Sequence, residues 1–244
     1  MPDLAFEDPR LAALYDAFDA DRSDLDVYLA IARELGARRV LDVGCGTGTF
    51  AILLAREGFE VTGLDPARAS IDVARGKQGA ESVRWIVGDA SALPQLEVDL
   101  ATMTGNVAQA ITDPDAWAAA LRSVFEALRP NGRLVFETRD PAYRGWQGWT
   151  RDRTHQVVDV EDVGEVEQWT ELMDVALPLV SFRTTFLFRA SGDVLASDST
   201  LRFRQRTELE EQLRAAGYVV DDVRDALDRP ARELVFFARR PDGR

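Results

Sequence analysis

The sequence predicts a doubly wound α/β fold: a mostly parallel seven-stranded sheet with helices on both faces, and an antiparallel β insertion before the last helix. Three observations carry that expectation. Short, dense apolar runs alternate with amphipathic helical segments through the first two-thirds of the chain. The first of these runs ends in a glycine-rich turn that opens a helix. From about Gln156 to Arg206 the helical period disappears and Val, Thr, Phe and Trp dominate, with turn signals at Gly164 and at Ser191-Gly192-Asp193.

Along the chain, Leu11, Leu14, Tyr15 and Phe18, then Leu25, Tyr28, Leu29, Ile31 and Ala32, fall at helix-like spacing around an acidic break at 19–24. Two short helices are expected there, with Gly36 closing the second. Strands are expected at 40–43, 59–64, 83–87 and 98–103, with helices at 50–57 and 66–76 between them. A helix at 115–128 turns Trp117, Leu121, Val124, Phe125 and Leu128 to one side and precedes a strand at 133–137. Such repeats imply right-handed crossovers, hence parallel strands. After the insertion, Thr207 and Glu210 read as the capping box of a helix over 207–216, with Gly217 as its stop. Strands at 218–223 and 233–238 close the sheet. The chain is expected to form a single domain, with N-terminal helices over 1–38 and the inserted region over 143–204.

Within the insertion, Trp169, Leu172, Phe182, Thr184, Phe186 and Phe188 are expected to share one buried face, on which a homodimer could form. A chain of 244 residues can bury one large core. Its 42 acidic and 29 basic residues leave a net charge of −13, which argues against a nucleic-acid partner. Arg202, Arg204 and Arg206, the one local basic concentration, read as a solvated strand face. No membrane is expected as partner, because no apolar run approaches the roughly 18 residues of a span. The opening MPDLAFEDPR does not read as a secretory leader, so a cytoplasmic location is expected. One cysteine, Cys45, and one histidine, His155, leave no material for an internal disulfide or a cysteine- or histidine-rich metal site.

The glycine turn has the form G-x-G-x-G from Gly44 to Gly48. The dinucleotide fingerprint would want Gly or Ala where Thr49 stands, and the lysine of a triphosphate loop is missing. Asp42 lies inside the preceding strand, while Asp65 and Asp89 end the next two. Carboxylates at that edge repel phosphates and suit a ligand with hydroxyls, an amine and a positive charge. Asp65 could accept from both hydroxyls of a ribose, and Asp89 from an adenine amino group. The alternative is that Asp-Pro and Gly-Asp merely form turns.

On these residues the chain resembles the class I S-adenosylmethionine-dependent methyltransferases, over roughly Tyr15 to Asp140 and again over the last two strands. VLDVGCGTG is close to the family's first motif in full, and VTGLDPA and VGDASALP follow in the expected order. The resemblance implies a Rossmann-like fold and S-adenosylmethionine as cofactor. It implies that Gly44, Cys45, Gly46, Thr47 and Gly48 pass under the methionine part, with Asp42 orienting the loop or, through water, the amino group. It also implies Asp65 on the ribose, Pro66 against the adenine face, and Asp89 with the Ala90 N–H at the adenine edge. Thr104, at the end of the fourth strand, joins these contacts; Tyr15 either closes over the cofactor or packs in the core. Cys45 is a common small residue of this loop and is not read as a nucleophile.

The Asn/Asp-Pro-Pro-aromatic pattern of members that methylate planar amines is missing at the fourth strand, which counts against a base or glutamine-amide acceptor and leaves many others open; the expected acceptor is a small molecule, methylated on N or O. Asn106 either contacts cofactor or substrate or caps the next segment. In PAYRGWQGW, Tyr143, Trp146 and Trp149 either wall the acceptor, with Gly145 and Gly148 as hinges of a lid, or pack the insertion onto the sheet. His155, Glu137 and Asp140 are candidate bases, and none is assigned. Two other functions stay open: a nicotinamide-dependent oxidoreductase, and a non-catalytic module that keeps the cofactor pocket.

Overall fold

Val40 and Leu41 face opposite sides of the first strand, β1 (Arg39–Val43), and each enters a separate buried cluster. That alternation is why helices cover both faces of the sheet. The computed structural model describes residues 2–91, 93–227 and 229–243. With β2 (Glu60–Asp65), β3 (Val83–Val87), β4 (Val98–Met103), β5 (Leu128–Arg139) and two late strands, β10 (Val219–Asp225) and β11 (Glu233–Arg239), it forms a seven-stranded sheet in the order β3-β2-β1-β4-β5-β11-β10. The first five strands pair in parallel, and β11 runs antiparallel between β5 and β10. The strand order reverses at β1, so the carboxyl ends of β1, β2 and β4 meet at the crevice where such sheets bind ligands.

One face is packed by α8 (Pro114–Ala127) and α10 (Arg206–Ala215), through Trp117, Leu121, Val124, Leu209 and Leu213. The other is packed by α4 (Asp24–Glu34) and α5 (Thr49–Arg56), through Leu25, Tyr28, Phe50 and Leu54. The helix α6 (Arg68–Gly76) follows β2. The α8 start is set by Asp113, whose carboxylate accepts the Ala116 N–H at 2.8 Å, and by Pro114 in the first turn.

The N-terminal region is more finely divided than the apolar spacing predicts. Ahead of α4 come three single-turn helices, α1 (Leu4–Glu7), α2 (Pro9–Ala12) and α3 (Tyr15–Phe18). Asp8 stops the first and caps the second, accepting from Arg10 N–H at 2.8 Å and Leu11 N–H at 3.3 Å. β5 also begins earlier than expected, directly at the end of α8.

The inserted region holds a second, antiparallel sheet of β6 (Gln156–Val160), β7 (Gly164–Ala176), β8 (Leu179–Phe188) and β9 (Val194–Arg202). Its inner face packs Val166, Phe186 and Phe188 against Leu11 and Leu14 of the N-terminal helices. Trp169 does not share that face. It pairs with Thr185 while Leu172 pairs with Phe182, and a separation of three residues in a strand places two side chains on opposite sides. The Arg151 guanidinium, 4.1 Å from the ring centroid, covers Trp169 instead, from the short helix α9 (Arg151–Thr154).

Two other expectations are corrected. The Thr207–Glu210 capping box does not form: Gln205 precedes α10 without a side-chain cap, and Glu210 binds Arg206 and Arg214 one turn to either side. Gly217, at φ +96°, is the stop as expected. Arg204 is no solvated strand residue, because β9 ends at Arg202 and the chain then turns inward. Arg204 is 2% exposed. Among the described residues no helix is long and apolar enough to cross a membrane.

Candidate active site

After β1 the chain turns through Gly44, Gly46 and Gly48 at φ +70°, +52° and +79°, a region that side chains with L-configuration avoid. The three glycines differ in their surroundings. A Cβ on Gly44 would lie 2.4 Å from Val107, and one on Gly48 would lie 2.4 Å from the Trp85 ring. Over Gly46 there is nothing within 4 Å. That open space belongs to a cavity of about 480 Å³ at the carboxyl ends of β1, β2 and β4.

The cavity brings together Tyr15, Asp42, Gly44, Cys45, Gly46, Thr47, Asp65, Pro66, Asp89, Ala90 and Thr104. Gly48 alone of the expected cofactor residues is not in its lining; it sits behind, packed on Trp85 and Ala74. Asp65 accepts the Gly46 N–H at 2.9 Å and the Ala67 N–H at 2.8 Å, and burial raises its pKa. Asp89 accepts the Ser91 N–H at 2.7 Å. Both residues are therefore turn formers and cavity walls together.

Asp42 is 1% exposed. Its Oδ1 accepts from the Thr102 hydroxyl at 3.0 Å, its Oδ2 has no partner, and burial pushes its pKa up to about 7. An orphaned carboxylate oxygen at the wall of a cavity is an acceptor awaiting a donor. Burial also raises the Cys45 thiol well above its usual range, which leaves it protonated and unreactive.

The N-terminal helices roof the cavity with Phe6 and Tyr15, whose rings lie 5.9 Å apart. Their anchor was not legible in the sequence: Asp16 accepts from Thr47 at 2.7 Å and Thr49 at 3.2 Å, and pairs with Lys77 at 2.5 Å. These links tie α3 to the start of α5 across a separation of more than thirty positions. Arg22 also lines the cavity, held by Asp24 at 3.2 Å and Asp19 at 3.5 Å.

The residues expected at the acceptor do not line this cavity. Asn106 is buried at φ +63°, makes no side-chain cap to the short helix α7 (Val107–Ala110), and reaches Glu233 at 3.5 Å. Trp146 is buried against Val180 and Phe203, ring to ring at 4.6 Å with the latter, so it packs the insertion. Tyr143 is 48% exposed under the Arg232 guanidinium. In that segment Arg144, not a glycine, takes the left-handed conformation.

None of the candidate bases lines the cavity. Glu137 accepts from the Tyr28 hydroxyl and from the N–H groups of Gly105 at 2.7 Å and Asn106 at 3.2 Å, so it braces the loop after β4. Asp140 caps its own turn at Ala142, and His155 pairs with Glu167 at 2.8 Å on the insertion.

Residues 40–132 match the model of a methyltransferase domain. A cypemycin N-terminal methyltransferase from a Streptomyces species is 32% identical over 119 residues, 48% of this chain and 49% of that protein. The chain spans about half the length of the curated relatives it matches first. Among solved structures, an S-adenosylmethionine-dependent methyltransferase from Clostridium acetobutylicum superposes with a TM-score of 0.75 at 18% identity, covering 95% of this chain and 98% of that one. An amino pentose methyltransferase from Micromonospora echinaspora, solved with S-adenosylmethionine bound, gives a TM-score of 0.71 at 22% identity, covering 93% and 95%.

Proposed function

Because the chain belongs to the class I S-adenosylmethionine-dependent methyltransferases, we propose that it transfers a methyl group from S-adenosylmethionine to an N or O atom of a small molecule. The observation that carries this reading is the open space over Gly46, bounded by Asp65, Asp89 and the unpartnered Oδ2 of Asp42.

The donor set fits the cofactor. Asp65 and Asp89 present acceptors for ribose hydroxyls and an adenine amino group, and Pro66 offers an apolar surface for the base. The orphaned Asp42 oxygen suits an ammonium or a water bound to one. When bound, the cofactor would supply an electrophilic methyl to the acceptor lone pair, with the electron pair of the S–C bond left on sulfur. For a direct displacement of this kind the chain's task is alignment and exclusion of water. Phe6 and Tyr15 do the excluding, and the Asp16 anchor holds them over the loop.

The net charge of −13 supports a small molecule over a nucleic acid as acceptor. The names of the relatives carry both atoms, the N-terminus for the cypemycin enzyme and O for a malonyl-carrier-protein methyltransferase, so they support N or O and do not choose between them. None of the three candidate bases, Glu137, Asp140 and His155, lines the cavity, which agrees with an amine that attacks through its own lone pair. A cytoplasmic location is part of the same reading. Titration calorimetry with S-adenosylhomocysteine tests it: micromolar binding is expected, and a folded chain that binds neither this nor S-adenosylmethionine overturns it.

A further inference from the structure

The loop after β4 reverses on two successive left-handed residues, Gly105 at φ +68° and Asn106 at φ +63°. For Asn106, which carries a Cβ, that backbone is strained and persists only where its surroundings fix it. Glu137 of β5, 4% exposed, does the fixing. One of its oxygens accepts the N–H of Gly105 at 2.7 Å and that of Asn106 at 3.2 Å, and the other accepts the Tyr28 hydroxyl. Resting on the methyltransferase reading, we propose that Glu137 is a positioning residue for the cofactor, setting the Gly44–Gly48 loop through Gly105, Asn106 and Val107.

The path is a series of contacts. Val107 follows the two anchored residues, and its side chain fills the place beside Gly44, where an added Cβ would lie 2.4 and 2.7 Å from its two methyl carbons. Gly44 opens the turn that carries Gly46 into the cavity. The strand order sets the two loops side by side, because β4 lies between β1 and β5. Thr104, Gly105 and Val107 line the cavity and Glu137 does not, so the carboxylate reaches the cofactor's space only through the loop that it holds. Arg204 grips the later half of that loop, at Ala108 and Ile111.

An ionised carboxylate suits this place because three donors converge on it, two peptide N–H groups and a phenol O–H. Glu233, also 4% exposed, receives the Asn106 side-chain amide at 3.5 Å, so two strands hold one residue of the loop. Arg139 and Arg229 lie close enough to Glu137 to offset its charge, and Glu233 to oppose it. Glutamine at position 137 keeps an acceptor oxygen for the loop and drops the charge, methionine drops both, and aspartate keeps both but is one methylene too short. The three substitutions therefore separate acceptor, charge and reach.

Amide hydrogen exchange, followed by NMR on the full ¹⁵N-labelled chain without ligand, tests the path. The reporters are the N–H groups of Gly44, which donates to Leu64 at 2.7 Å, and Gly46, which donates to Asp65 at 2.9 Å; Gly192, bonded to Phe188 in the insertion, is the control. Glu137→Met is expected to speed exchange at Gly44 and Gly46 about tenfold, the worth of about one hydrogen bond, and to leave Gly192 unchanged. Glu137→Asp should move the same amides by less, and Glu137→Gln should stay within about threefold of the parent. Val107→Ala keeps the bonds to Glu137 but loosens the contact with Gly44; it should speed the same two amides, and Glu137→Met combined with it should add little more. In calorimetry Glu137→Met should weaken S-adenosylhomocysteine about tenfold, with Glu137→Gln restoring most of the loss. Val180→Ala, buried in the insertion, should lower stability without lowering that affinity. Unchanged exchange at Gly44 and Gly46 in the Met and Asp variants, a rise at Gly192 as large as theirs, a Gln variant as impaired as Met, or additive effects of positions 137 and 107 would each overturn the proposal. A parent chain that does not bind S-adenosylhomocysteine overturns the cofactor reading instead, and the ligand-free exchange decides the path from Glu137 separately.

Discussion

The Asp65 carboxylate accepts the N–H of Gly46 at 2.9 Å, so the residue that ends the second strand also holds the loop that ends the first. Its other oxygen takes the Ala67 N–H, and each carboxylate oxygen has capacity to accept a second bond. Replacing it with alanine removes both the acceptor and the loop's brace. Asp65→Ala is expected to weaken S-adenosylhomocysteine binding by about 1–3 kcal/mol, roughly five- to a hundredfold. Asp65→Asn, which keeps one carbonyl acceptor, should lose less. Calorimetry on the two variants checks the order.

The loop glycines separate folding from binding. Gly46→Ala meets open space, so its cost to the fold is only that of a left-handed alanine, about 1–2 kcal/mol. The added methyl group intrudes on the cavity, and cofactor affinity should fall more than tenfold. Gly48→Ala carries the same backbone strain and drives its Cβ into Trp85 and Ala74, so it should destabilise by about 3 kcal/mol or more. Thermal melts paired with calorimetry distinguish the two. Equal loss of stability in both variants would contradict the difference in packing.

Asp42 should couple cofactor binding to protons. Burial lifts its pKa from 3.8 to about 7, so between those values the folded chain holds a proton that the unfolded chain has released. The stability it contributes is full below the lower value and falls as the pH rises through the upper one. Asp42→Asn removes that titration, and its urea-derived stability should vary less across the same window. A cationic group placed beside Oδ2 favours the ionised form, so S-adenosylhomocysteine binding near pH 6 should release a proton. Calorimetry in two buffers of different ionisation enthalpy measures this directly, and zero release would separate Asp42 from the ligand's amine.

The cavity wall was legible in the sequence because its parts are local. A strand ending in Gly44, or in Asp65 before Pro66, declares its own geometry within a few residues, and the parallel order brings those ends together. Residues whose role depends on a partner far along the chain were not legible. Asp16 and Lys77 carry no local signal, and their pairing exists only once α3 and the end of α6 are folded beside the glycine loop. Glu137 reads as a base at a strand end, yet what decides its role is Tyr28, on a helix 109 positions earlier. Trp146 fits either a lid or a core, and only the placement of Phe203 makes it core. Trp169 is different, since its odd spacing from Leu172 already put the two on opposite faces.

Arg204 shows how one such distant partner reaches the cavity wall. Its guanidinium donates to the carbonyls of Ala108 and Ile111, each at 2.7 Å, and lies 4.8 Å from the Trp117 ring centroid. Those carbonyls belong to the 107–112 loop, which walls the cavity through Ala110 and Thr112. Burial lowers the Arg204 pKa to about 10, so it remains charged at neutral pH, with backbone carbonyls in place of a carboxylate. Arg204→Met fills similar space and leaves two carbonyls without donors, which should cost about 2–4 kcal/mol, offset in part by relief of the buried charge. Arg204→Lys can reach only one of the two carbonyls well and should fall between them. Urea melts on the two variants check that order, and an Arg204→Met chain as stable as the parent would contradict the role of the two carbonyl bonds.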